Sequence, residues 1–241
     1  MTWSVLPACV SIARRAGLDE AAEDDDELMA GSGMRALPLA DYEVGRAQDV
    51  EGARRVLEVN WRKLRVDHAT ESTWMDFRLH GTRLDRMSFS AMSFGAETIA
   101  DSGPLGLVVI MLPLSGWCEV WSGDQIATIR QGRAAVLSPM EGVGTRWSAD
   151  CAQVLVVLES DLVEDVRQRE FGVPAGEPLQ FDLELDVRTG PGQKLVFGLL
   201  YPLVKRLDRH HRMFEGPETV ADIENLAASA LLNVQRHNYS V

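Results

Sequence analysis

The sequence predicts an α+β chain that is mainly β: an antiparallel barrel followed by amphipathic helices. Three observations predict it. First, Leu105 to Glu159 breaks into short apolar runs separated by Gly, Pro and Asp turn residues, at the spacing of about 8–12 residues typical of sandwiches and small barrels. Second, beyond residue 160 the apolar period lengthens to that of helices. Third, 241 residues with 46% apolar content are enough for a sizeable core in a water-soluble protein.

The elements follow in chain order. Residues 1–35 read as a separate acidic extension, with seven acidic residues between Asp19 and Glu27 followed by Gly31-Ser32-Gly33. Such a stretch buries too little apolar surface to offset its ordering entropy and is expected to be disordered. Asp49 to Trp61 is a short amphipathic helix that Asp49 caps, with Gly52 as its weak point. Trp74 to Phe94 alternates with period two and gives two strands; Gly95, Asp101 and Gly103-Pro104 then read as a connection. Five strands follow at Leu107–Leu114, Trp117–Trp121, Ile126–Ile129, Ala134–Leu137 and Val154–Leu158. Ser160 to Phe171 is a helix ended by Gly172, and Pro178 to Val187 is extended.

Two helices close the chain. Leu195, Val196, Leu199, Leu200, Leu203, Val204 and Leu207 form one stripe, with a kink expected at Pro202. Ile223, Leu226, Ala227, Ala230, Leu231 and Val234 form the other, from Thr219 to Arg236, with a capping box at Thr219–Asp222. Together they make a helical hairpin whose apolar faces must be covered by the barrel, each other or a second copy. The expected organisation is therefore 1–35 extension, 36–187 barrel and 188–241 helical region.

Charge and cysteines narrow the function classes. The net charge of −12 argues against nonspecific binding to nucleic acid or anionic membranes. Cys9, Cys118 and Cys151 are odd in number and lack C-x-x-C spacing, which fits free thiols in a reducing cytosol. No apolar run reaches membrane-span length, and Arg14-Arg15 follows rather than precedes the first apolar stretch. The expectation is a cytoplasmic protein with no membrane association.

The chemistry points to a pocket without catalysis. A barrel of this pattern invites comparison with the cupins, whose enzymes hold a metal through two imidazoles two residues apart on one strand. Ser115–Asp124 and Gly132–Trp147 contain no histidine, and the adjacent His210-His211 rings diverge. No G-x-S-x-G elbow, phosphate loop or dinucleotide fingerprint is present. No metal, cofactor or enzymatic activity is expected. Aromatic and sulfur side chains interleaved with polar groups do suggest a small-molecule site. The candidate ligand contacts are His80, Arg83, Met111, Trp117, Trp121 and Trp147; the alternative for each is plain core or plain surface.

Three stretches carry a family resemblance. LPLSGWCEVWSGDQIATIRQGRAAVLSP, with turns at Gly116, Gly132 and Ser138-Pro139, resembles the β core of the N-terminal effector domain of AraC/XylS-type transcription regulators. ESDLVEDVRQREFGVPAGEPLQFDLELDV resembles that domain's helix and following strand, with Pro178, Leu179 and Phe181. ALLNVQRHNYSV, ending on His237-Asn238-Tyr239-Ser240, resembles its close, and the likeness spans roughly residues 36 to 241. The resemblance implies a cupin-like barrel that binds a small effector, helices that mediate homodimerisation, and promoter DNA engaged through a C-terminal helix-turn-helix region expected to be absent here. On that reading the effector is aromatic or carboxylated, and Ile223, Leu226, Ala230 and Leu231 carry the dimer contact. The rival readings are a metal-dependent cupin enzyme and a stand-alone dimerisation partner of a full-length regulator.

Overall fold

The computed structural model of the protein describes residues 37–60, 64–70, 74–172, 176–209 and 216–240. The acidic 1–35 extension and His210-His211 lie outside the described residues. Among the described residues, twelve strands form one antiparallel sheet: β1 (Glu43–Ala47), β2 (Arg65–His68), β3 (Phe77–Arg83), β4 (Met87–Ser93), β5 (Thr98–Ser102), β6 (Leu107–Ser115), β7 (Trp117–Ser122), β8 (Gln125–Arg130), β9 (Arg133–Leu137), β10 (Val143–Trp147), β11 (Ala152–Glu159) and β12 (Glu184–Asp186). Their spatial order is β1-β3-β4-β11-β6-β9-β8-β7-β10-β5-β2, with β12 added to β9. The helices are α1 (Val50–Asn60), α2 (Ser160–Phe171), α3 (Gly190–Leu195), α4 (Tyr201–Arg209) and α5 (Pro217–Val234).

The sheet curls around one apolar core and carries a second on its back. On β6, Val108, Ile110 and Leu112 face the helices, whereas Val109 and Met111 face the barrel interior. On β11, Val154, Val156 and Leu158 face the helices, and Leu155 and Val157 the interior. Strands covered on both faces need apolar residues at every position, which is why these two read as unbroken runs rather than alternations. The helices of the C-terminal half and the back of the sheet share one core.

Turns and caps follow local chemistry. Asp49 caps α1 through a 2.7 Å bond from the Gly52 N–H. Gly172 closes α2 in the left-handed conformation, φ 63°. Pro202 is accommodated by a π-helical turn, Val196–Leu200, lying directly before it between α3 and α4. A widened turn relieves the missing N–H and the ring clash, so the expected kink takes this form. α5 begins at Pro217 behind Gly216, with no side-chain cap bond, so the capping box expected at Thr219–Asp222 does not form. Pro at the first helical turn needs no N–H partner and supplies the start instead.

β5 and β10 are among the strands that the sequence does not lead one to expect. β10 is Val-Gly-Thr-Arg-Trp and β5 is Thr-Ile-Ala-Asp-Ser, and neither carries an apolar run. They pair with each other in full, Val143 opposite Ser102 through Trp147 opposite Thr98.

The α5 stripe is consumed within the protomer. Ile223, Leu226 and Leu231 are buried in the helix-side core, and Ala230 packs against it partly buried. These residues therefore do not form the exposed dimer face expected of them; their apolar surface is already covered by the sheet and the neighbouring helices. An acidic substitution there buries an unpaired charge. Leu231→Glu is accordingly expected to abolish cooperative unfolding in a urea titration followed by circular dichroism, and not simply to yield a folded monomer.

The C-terminal segment is pinned beside residues 177–182. Asn238 N–H donates to the Gln180 carbonyl at 2.9 Å, and Gln180 N–H donates back to Asn238 Oδ1 at 3.0 Å. His237 Nδ1 accepts from the Tyr239 N–H at 3.2 Å, so the proton sits on Nε2, which meets the Leu232 carbonyl at 3.1 Å. Burial pushes the His237 pKa down, the Arg167 charge adds to this, and the Leu232 carbonyl opposes it. A histidine whose pKa falls on folding favours the folded state above its ordinary value of about 6.5. That contribution is lost as pH falls from there through the lower folded-state value. Acidification through this window should loosen residues 235–240, and His237→Gln should flatten the dependence, as read by amide exchange at those residues.

Candidate ligand-binding site

The barrel interior is graded from apolar at depth to polar at its mouth. Period two along each strand sets the gradient. Descending β4 from the mouth, the inward positions are Ser88, Ser90 and Met92, with Phe94 just past the strand's end; along β11 they are Glu159, Val157 and Leu155. On β6, Leu107 lies at the mouth and Val109 and Met111 at depth. On β3, Leu79, Gly81 and Arg83 line the mouth. The mouth cavity has a volume of about 410 Å³ and the deep cavity about 50 Å³. Leu105, on the loop before β6, lines both and stands between them. The larger volume lies in the range of small-molecule sites.

The deep wall is aromatic and rigid. Phe94 lies 5.4 Å from Phe77 and 5.1 Å edge-on from Trp147, centroid to centroid. Trp147 Nε1 donates to Thr145 Oγ1 at 2.9 Å, and that hydroxyl donates to the Ala100 carbonyl at 3.1 Å. The indole is thus satisfied internally and offers only its apolar surface to the cavity. Cys118, Cys151 and Gln153 are buried in the same interior. Gln153 Nε2 donates to Cys151 Sγ at 3.5 Å. Burial pushes both thiols up, Cys151 to about 12, so neither is a thiolate nucleophile at neutral pH.

The mouth is wired to the helices. Arg83 pairs with Glu159 and donates to the Asp85 carbonyl through Nε at 3.0 Å and Nη2 at 2.8 Å. Arg86 N–H donates to Glu224 Oε1 of α5 at 2.6 Å. The Arg86 carbonyl accepts from the Glu159 N–H at 3.0 Å, and its guanidinium donates to Asp165 Oδ2 of α2 at 2.8 Å. That last bond raises the Arg86 pKa and keeps the side chain charged.

Of the residues expected to contact ligand, the structure brings Met111 and Trp147 together at depth and puts Arg83 at the mouth. Trp117 and Trp121 project from the outer face of β7, whose inward residues are Cys118 and Val120. Trp117 lies beside Arg146, with the guanidinium 6.0 Å from its centroid. Trp121 lies across Gly144, where an added Cβ would come within 1.9 Å of Nε1. His80 faces away from Leu79 and Gly81; its Nδ1 lies 2.9 Å from the Pro38 carbonyl, anchoring the lead-in to β1. Ser88, Ser90, Leu105 and Glu159 were not foreseen as lining residues. Alternation along β4 and β11 holds that information for Ser88, Ser90 and Glu159 once the inward register is known, whereas Leu105 lies on a loop.

Among the described residues, no group of three or more His, Cys, Asp and Glu is placed to hold a metal ion. No helix among them is long and apolar enough to cross a membrane.

The family of AraC-binding-like domains matches residues 54–232, which include Ser88, Ser90, Leu105, Trp147 and Glu159 of the cavities and most of each described helix. The chain belongs to this family. Among curated proteins, none matches its sequence. Among solved structures, the AraC-like transcriptional activator CuxR matches with a TM-score of 0.56 at 13% identity, covering 81% of this chain and 73% of that one. That likeness supports the cupin-like fold with C-terminal helices. KdgF from a Halomonas species gives a TM-score of 0.32 at 10% identity, covering 39% of this chain and 86% of that one. Oxalate decarboxylase from Bacillus subtilis gives 0.32 at 12% identity, covering 40% and 33%.

The deep wall is also the fold's interior core, so its loss should be felt as stability. Trp147→Ala is expected to cost about 3–5 kcal/mol, the range for truncating a buried large aromatic, measured as a lower urea midpoint.

Proposed function

We infer that this chain is the effector-sensing domain of a transcription regulator. The observation that carries this reading is the graded cavity within an AraC-binding-like domain: apolar at depth, polar at the mouth and joined there to two helices. The effector is a small amphipathic molecule. Its apolar body, aromatic or aliphatic, lies along Leu107, Val157 and Leu105 toward Trp147, and its polar end lies near Arg83, Ser88 and Ser90. The domain acts by binding and not by catalysis. Promoter DNA is engaged through a helix-turn-helix region C-terminal to it, as the regulator class of CuxR suggests. Homodimerisation belongs to the same reading, through surfaces other than the buried stripe of α5.

Direct binding tests it. A panel of aromatic and medium-chain aliphatic alcohols and acids should contain members that raise the melting temperature in a saturable way, since a ligand that binds only the folded state stabilises it. Ser90→Phe, which fills the mouth, should fold and lose this response. A panel without a single saturable binder, or binding undiminished in Ser90→Phe, would refute this location for the effector.

A further inference from the structure

We propose that Arg83 is an anion receptor whose resident occupant is Glu159, that an acidic group on the effector takes the place of that carboxylate, and that the exchange is relayed to α5 through Arg86. The proposal rests on the effector-binding reading of the cavity and names the ligand class and the regulation it entails.

The pair sits where exchange is possible. Arg83 and Glu159 both line the mouth cavity, and their side chains are 64% and 33% exposed, so water and solutes reach them. An ion pair this exposed contributes little stability, and replacing one carboxylate by another costs little. The guanidinium fork matches a carboxylate geometrically. A ligand acid whose apolar body fills the adjoining cavity brings burial energy that Glu159 does not. Other charges nearby do not compete for the role: the Arg86 guanidinium is directed to Asp165, and the buried Glu224 carboxylate accepts from the Arg86 N–H.

Displacing Glu159 has consequences beyond the mouth. Glu159 ends β11 and immediately precedes Ser160, the first residue of α2. Its N–H is bonded to the Arg86 carbonyl, and the Arg86 N–H is bonded to Glu224 in α5. Arg83 also closes the β3–β4 turn by holding the Asp85 carbonyl, one residue before Arg86. One turn of chain thus holds ligand receptor, α2 entry and α5 anchor together. A ligand with different affinity for the two pairings of Arg83 shifts this arrangement, as coupling between sites requires.

The test uses the full chain with 1-naphthylacetate as acidic probe and 1-naphthylacetamide as its neutral counterpart. Glu159→Gln removes the resident anion and should tighten the acid at least five-fold in isothermal titration while leaving the amide unchanged. Arg83→Gln should abolish the preference for acid over amide. Binding of both probes with no acid preference, or no gain in Glu159→Gln, would overturn the exchange while leaving the cavity as an effector site. Failure of both probes to bind any of the three proteins would overturn the exchange, while the effector reading is decided by the wider panel. The relay is read without ligand: Arg83 meets α5 through the turn that carries Arg86, so Arg83→Gln should speed amide exchange around Glu224 at least three-fold. Unchanged exchange there would overturn the relay.

Discussion

The structure depends on strands β6 and β11 being buried on both faces. A β-strand sends alternate side chains to opposite sides, so one strand can wall two compartments at once. Here odd-numbered Val109, Met111, Leu155 and Val157 build the barrel interior, while even-numbered Val108, Ile110, Val154 and Val156 build the floor on which the helices rest. The partition fixes the register, because a slip of one residue would exchange the two sets. It also places the cavity and the helical layer back to back, separated by one thickness of sheet. Any rearrangement on one side has only the sheet itself, or the rim of the sheet, through which to reach the other.

The rim is where the polar wiring lies. The wall of β6 and β11 is mainly apolar on both sides. Arg86 instead uses its N–H, its carbonyl and its guanidinium to join the β3–β4 turn to α5, β11 and α2 respectively. Glu224 is buried on α5 together with Ile223, Leu226 and Ala227, and a buried carboxylate acceptor is costly unless it is satisfied. Its place in the helix makes sense only with the β3–β4 turn docked against it. The family assignment supports a ligand-binding regulatory domain, and this rim supplies a physical connection suited to one.

Much of this was legible in the sequence, for reasons that differ by element. β6 and β11 announced themselves as apolar runs, and α2 by its stripe and Gly172. β10 was hidden because Gly144 lies where Trp121 crosses the sheet and Arg146 where its partners are Glu97 and Glu119, so the strand shows no apolar alternation. The ligand contacts were harder. Trp117 and Trp121 drew attention as aromatics, yet on β7 the small residues Cys118 and Val120 face inward and the tryptophans cover the outside. Residue size does not reveal the direction of a side chain; cross-strand register does, and a lone sequence does not contain it. The stripe on α5 was correctly apolar, but periodicity states only that a face must be covered. That the cover is the chain's own sheet, and not a second copy, is a tertiary fact.

The two-sided wall has a consequence for how such a domain diversifies. Substitutions at alternate positions of the same strand fall into different compartments, so changes that reshape the cavity leave the helix-bearing face chemically untouched. Selection can therefore retune what the pocket accepts, residue by residue along β4, β6 and β11, without renegotiating how the helices are held. Specificity and output are inherited on the same strands yet remain separately adjustable, an odd–even segregation that lets one scaffold serve many inputs.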